Sequence, residues 1–100
     1  MAIIDLKTKS YKVEVKENLL DIVDGVNQGD FVKNIEITIN GIQDKANFLK
    51  THHDCCTKEN IAKLKKFVGE VVSDIVKHKA SPALKKRADQ ALAFINSLAA

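Results

Sequence analysis

Tryptophan is absent from this 100-residue chain, and aromatic residues of all kinds make up only 5% of it. Any core must therefore be built from leucine, isoleucine, valine and alanine, a composition that suits packed helices. Proline occurs once, at Pro82, and glycine four times, which excludes a collagen-like or linker-rich chain. The only cysteines are the neighbours Cys55 and Cys56. That excludes the disulfide framework of small secreted domains and points to a reducing, cytoplasmic setting. No apolar run approaches the roughly 20 residues of a membrane-spanning helix. The opening residues, Met1 to Leu6, show neither the basic segment nor the cleavage motif of a secretory leader. The expectation is one domain over residues 1–100, with no membrane association.

What is present is charge, unevenly placed. The net charge is +3, but residues 1–56 hold seven Lys against nine Asp and Glu, whereas residues 57–100 hold nine Lys and Arg against four. A basic second half can steer an acidic partner or nucleic acid, and it can equally complement the acidic first half.

Near the start, Ile4 and Leu6 alternate with polar residues, and after Lys7 to Ser10 so do Tyr11, Val13 and Val15. Period two is the strand signature and predicts a short hairpin, which needs a surface to pack on. Over residues 17–27, Leu19, Ile22, Val23 and Val26 fall on one side of a helix, with Gly29 as a stop and Asp30 as the N-cap of the next helix. In that next segment Val32, Ile35, Ile39, Ile42, Ala46 and Leu49 recur at spacings of three and four, while Ile35, Ile37 and Ile39 also alternate. The helical pattern runs longer and predicts a helix. A third strand near residues 33–40 is the α+β alternative.

Thr57 as N-cap and Glu59 in the first turn open a further helix through Ile61, Leu64, Phe67, Val68, Val71, Val72, Ile75 and Val76, closed by Lys77, His78 and Lys79. Gly69 sits inside it, where it costs about 1 kcal/mol against alanine, which suggests a close helix crossing. Ser81 and Pro82 start a last helix with serine at the cap and proline at the first helical position, and Leu84, Ala88, Ala91, Ile95 and Leu98 form its stripe. The predicted fold is mostly α: a small four-helix bundle with a short N-terminal β-hairpin.

The stretch from Thr51 to Thr57 concentrates chemistry, with His52, His53, Asp54, Cys55 and Cys56 just before a helix start. Metal-ligating types are present, but a structural zinc site draws on two separated pairs and here there is no second pair. His78 lies about 30 Å from Cys56 along a continuous helix. A thiol near a helix N-terminus and beside histidines can react as thiolate, yet C-x-x-C is missing and free cysteine commonly packs as a small hydrophobe. A thiol or metal sensor using His52, His53, Cys55 and Cys56 is thus the rival reading, and no metal or cofactor is assigned. Catalysis has no support, because the cysteines and histidines lack an orienting third group and the isolated glycines form no phosphate loop.

Lys58, Lys63, Lys65 and Lys66 cluster at one end of the third predicted helix, and Lys77, Lys79, Lys85, Lys86 and Arg87 surround its other end. Nucleic-acid surfaces usually add arginine and aromatics, and this chain has a single arginine, so nucleic acid is the weaker partner. On the continuous second helix, Ile37 and Phe48 lie off the main stripe, nearly in register with each other. A second apolar side is either more core or a surface for a partner. The expectation is a non-enzymatic interaction or regulatory protein, of a form common among bacterial and phage inhibitors, immunity proteins and adaptors. It would bind a protein or a second copy of itself through Ile37 and Phe48, with Lys63, Lys65 and Lys66 contributing.

Overall fold

A computed structural model describes residues 5–25 and 29–98. In chain order these form strands β1 (Tyr11–Lys16) and β2 (Leu19–Asp24), then helices α1 (Phe31–Thr51), α2 (Lys58–Lys77) and α3 (Pro82–Asn96). A hairpin is present, with β1 as its first strand rather than its second, and among the described residues the helices are three rather than four.

The missing helix is β2. The strands pair antiparallel with Lys16 opposite Leu19, leaving Glu17 and Asn18 as a two-residue turn. Both turn residues have positive φ, 53° and 65°, the backbone whose twist matches that of the flanking strands. A Glu-Asn turn lacks the glycine that usually advertises this geometry, and Leu19, Ile22 and Val23 fit a helix as well as they fit a strand. Burial follows the strand period instead, since Leu20 is fully buried while Leu19 is 43% exposed. The first predicted strand also changes place. Ile4 and Val26 lie outside the described residues, and Leu6 to Thr8 form a turn in which the Asp5 carboxylate accepts from the Lys7 N–H and the Thr8 hydroxyl.

Helix α1 runs unbroken through residues 33–40, so no strand forms there. Asp30 caps it by accepting from the Lys33 N–H at 3.2 Å, and Ile35, Ile39, Ile42, Ala46 and Leu49 are buried along one face. Each large aliphatic side chain on that face is worth about 1.5–3 kcal/mol of burial. Val32 is an exception at 48% exposure, as is Val76 of α2 at 60%; both sit at helix ends, beyond the reach of the core.

Thr57 caps α2 by accepting from the Asn60 N–H, and Ser81 caps α3 with Pro82 just inside. Phe31 meets His78 edge-on at 5.1 Å between ring centroids, placing the start of α1 beside the end of α2. Ile39 and Ile42, Val68 and Val71, and Ala88 and Ala91 then meet as one layer shared by α1, α2 and α3, with no room for a water molecule. Gly69 is not at a crossing, because a side chain there would meet nothing within 4 Å. Gly69→Ala is therefore expected to stabilise the fold by about 1 kcal/mol through helix propensity alone, read as a higher urea midpoint.

The hairpin lies against α1 and α2 and is held at both edges. The Gly25 N–H to Ser10 carbonyl bond sets the ladder alternation, so the main-chain groups of Tyr11, Val13 and Val15 on β1, and of Leu20 and Ile22 on β2, point away from the partner strand. On the β1 edge the Tyr11 N–H donates to Thr38 Oγ1 at 3.0 Å. Gly41 brings α1 close beside it, with room for a Cβ only 3.6 Å from the Tyr11 carbonyl oxygen. On the β2 edge the Leu20 N–H donates to Asn60 Oδ1, and Lys63 Nζ donates to the Leu20 carbonyl, each at 3.0 Å. Helix side chains thus stand in for the strands that a two-stranded sheet lacks.

Leu6 fastens the N-terminal segment. Its side chain is fully buried, its N–H donates to Asp74 Oδ2 at 3.1 Å, and its carbonyl accepts from Asn34 Nδ2 at 2.9 Å.

Candidate functional site

Two clefts follow the seam between β1 and α1, which run in the same direction. The first, of about 460 Å³, lies between Tyr11 to Glu14 and the α1 residues Ile37, Asn40, Gly41, Asp44 and Lys45. The second, of about 540 Å³, continues past the hairpin turn, between Val15, Glu17 and Asn18 on one side and Phe48 to Cys55 on the other. Both fall in the size range of ligand-binding clefts.

Ile37 and Phe48 therefore belong to one seam, each half-buried and each lining its own cleft. The Phe48 ring is stacked by His52 at 3.8 Å between centroids and 12° between planes, and Lys45 Nζ lies 5.5 Å from its centroid. His52 is held in that stack from its own end of α1. Its main-chain N–H donates to the Phe48 carbonyl, and its Nδ1 lies 3.0 Å from that same oxygen and 2.9 Å from Thr51 Oγ1. This imidazole serves as a cover for an aromatic ring at a helix terminus.

Of the histidine and cysteine stretch, His52, His53, Asp54 and Cys55 line the cleft at the hairpin turn, whereas Cys56 does not. Cys55 is buried, and its thiol donates to Asn18 Oδ1 at 3.5 Å beneath the hairpin turn. Cys56 faces a different cleft of about 200 Å³, formed with Leu49, His53 and Leu98. Neighbouring side chains diverge here as they do along most irregular backbone. Both cysteines are free thiols. Among the described residues no group of three or more His, Cys, Asp or Glu side chains is arranged to hold a metal ion.

The basic residues separate too. Lys63 is spent on the Leu20 carbonyl, while Lys65 and Lys66 are exposed on α2. At the other end Lys85 pairs with Asp89 at 3.1 Å and Arg87 donates to Asn40 Oδ1. Lys63 is thus withdrawn from the surface cluster that its spacing suggested.

The polar residues that position this region carry no motif. Asn60, fully buried in the first turn of α2, donates to the carbonyls of Asn18 at 2.8 Å and Cys55 at 2.7 Å while accepting from Leu20. One amide therefore ties the hairpin turn, β2 and the loop after α1 to a single point. Glu17 and Asn18 enter the site through the turn, which the helix expected over residues 17–27 concealed, and Val15 enters it from the strand that period two predicted. No helix among the described residues is long and apolar enough to cross a membrane. Comparison with protein-family models, with curated proteins and with solved structures gives no match.

Proposed function

We propose that this protein is a non-enzymatic binding module that acts by holding a protein partner along the seam between the hairpin and α1. The observation that carries this reading is the position of Ile37 and Phe48, two half-buried apolar residues of α1 that line two successive clefts, Phe48 with part of its surface packed on the core. Side chains needed only for packing would be closed over, as Ile39 and Leu49 are. Between Ile37 and His52 the seam is about 22 Å long by helical rise, enough for roughly seven residues of extended chain. A second copy of the protein is one form the partner can take.

The test is affinity capture by the tagged chain, compared between wild type, an Ile37→Ser/Phe48→Ser variant and a Lys65→Glu/Lys66→Glu variant, each first checked for an intact circular dichroism spectrum. The expected result is a partner, or a self-associated mass by light scattering, that the seam variant loses by about tenfold or more, the penalty for removing buried interface anchors. The lysine variant should retain it. Equal retention by all three proteins would overturn the reading.

A further inference from the structure

Resting on that binding role, we infer that the cleft at the hairpin turn takes a short extended segment of a partner protein, one that carries basic side chains. Three independent features converge there. The first is main-chain hydrogen bonding. The N–H and C=O of Val15 point away from β2, and no described residue bonds them, whereas farther up the same edge Thr38 holds the Tyr11 N–H and Gly41 closes on the Tyr11 carbonyl. Free main-chain groups beside a cleft offer an extended peptide the ladder bonds of strand addition. Because Thr38 takes the Tyr11 N–H and Gly41 stands beside the Tyr11 carbonyl and the Val13 N–H, the pairing is placed at the end of β1 nearest the turn.

The second feature is the apolar floor. Val15 and Phe48, both half-buried, line the same cleft. Alternate side chains of an added strand point to one face, so one of them would rest on this floor while its neighbours faced outward.

The third feature is charge. The protein as a whole carries +3, yet among the described residues the formally charged ones lining this cleft are the exposed carboxylates of Glu17 and Asp54, with one cation, Lys45 Nζ, 5.5 Å from the Phe48 ring centroid. Among the described residues neither carboxylate forms an ion pair. The upper cleft differs, for there Lys12 and Lys45 offset Glu14 and Asp44. A locally acidic cleft on a basic protein selects a cationic occupant, because an acidic one meets both like charges at the rim.

The experiment is a titration of the isotope-labelled full chain by nuclear magnetic resonance with two end-capped pentapeptides, Thr-Arg-Val-Lys-Thr and Thr-Glu-Val-Glu-Thr. The basic peptide is expected to move the amide resonances of Val15, Asn18, Phe48 and Asp54 and to bind about tenfold or more tightly than the acidic one. Substituting Glu17→Lys and Asp54→Lys together should abolish that preference, as reversal of rim charge does at other interfaces. Equal binding of both peptides at these residues would overturn the inference while leaving the seam as a binding surface. Shifts confined to other parts of the molecule, or none at millimolar peptide, would overturn the inference even if the capture experiment finds a partner elsewhere on the seam.

Discussion

Asn60→Ala is expected to cost about 3 kcal/mol of folding stability and to loosen the hairpin turn, although the side chain belongs to neither the hairpin nor the apolar core. Its amide holds three main-chain groups, the N–H of Leu20 and the carbonyls of Asn18 and Cys55. Alanine leaves all three without their partner, the Leu20 and Cys55 groups in buried positions and the Asn18 carbonyl in a partly buried one, and each buried group left unsatisfied costs about 1–3 kcal/mol unless water enters. Asn60→Asp separates hydrogen bonding from shape. An aspartate keeps an acceptor for Leu20 but replaces a donor with a carboxylate oxygen facing two carbonyls, so it should be no milder than alanine. Urea unfolding of the three proteins checks the ranking. An Asn60→Asp protein as stable as wild type would show that the buried network does not hold the turn.

Leu6→Ala should be the second large loss, about 2–5 kcal/mol, the range for emptying a fully enclosed leucine site. Leu6 is buried completely, and its main chain is clamped by Asp74 from α2 and Asn34 from α1. Leu19→Ala provides the control, since that side chain is 43% exposed on the outer face of the hairpin, and surface changes usually fall within about 0.5 kcal/mol. A Leu6→Ala loss as small as that of Leu19→Ala would mean that the segment before β1 contributes little to the folded state.

These two side chains also mark how far the residue pattern could be followed. The stripe of Ile35, Ile39, Ile42, Ala46 and Leu49 identified the buried face of α1, and the same spacing pointed to Ile37 and Phe48 as residues off that face. It could not place the hairpin beside them, so the clefts they line were not legible. Asn34, Thr38, Asn60 and Asp74 sit within or beside apolar stripes and resemble ordinary polar interruptions. Their importance lies in which main-chain group each one meets, and each meets at least one group from a residue 27 to 68 positions away in the chain. Lys63 looked like one member of a lysine cluster for the same reason, and its actual use, on the Leu20 carbonyl, is a long-range contact. In the histidine and cysteine stretch, proximity in sequence leaves direction undetermined, and Cys55 and Cys56 open into separate clefts.

The sequence by itself determined where the three helices begin and which face of each is buried. Those features are local: Asp30, Thr57 and Ser81 cap the N–H groups immediately following them, Pro82 fits only a first helical turn, and side chains three and four apart share a face whatever lies opposite. Only the tertiary structure decided that residues 19–24 form a strand. Six residues are too few for period two and period 3.6 to separate, and an isolated two-stranded sheet is marginal in water. The choice fell to partners distant in the chain, since Asn60 and Lys63 of α2 supply the Leu20 N–H and carbonyl with hydrogen bonds at the open edge of β2.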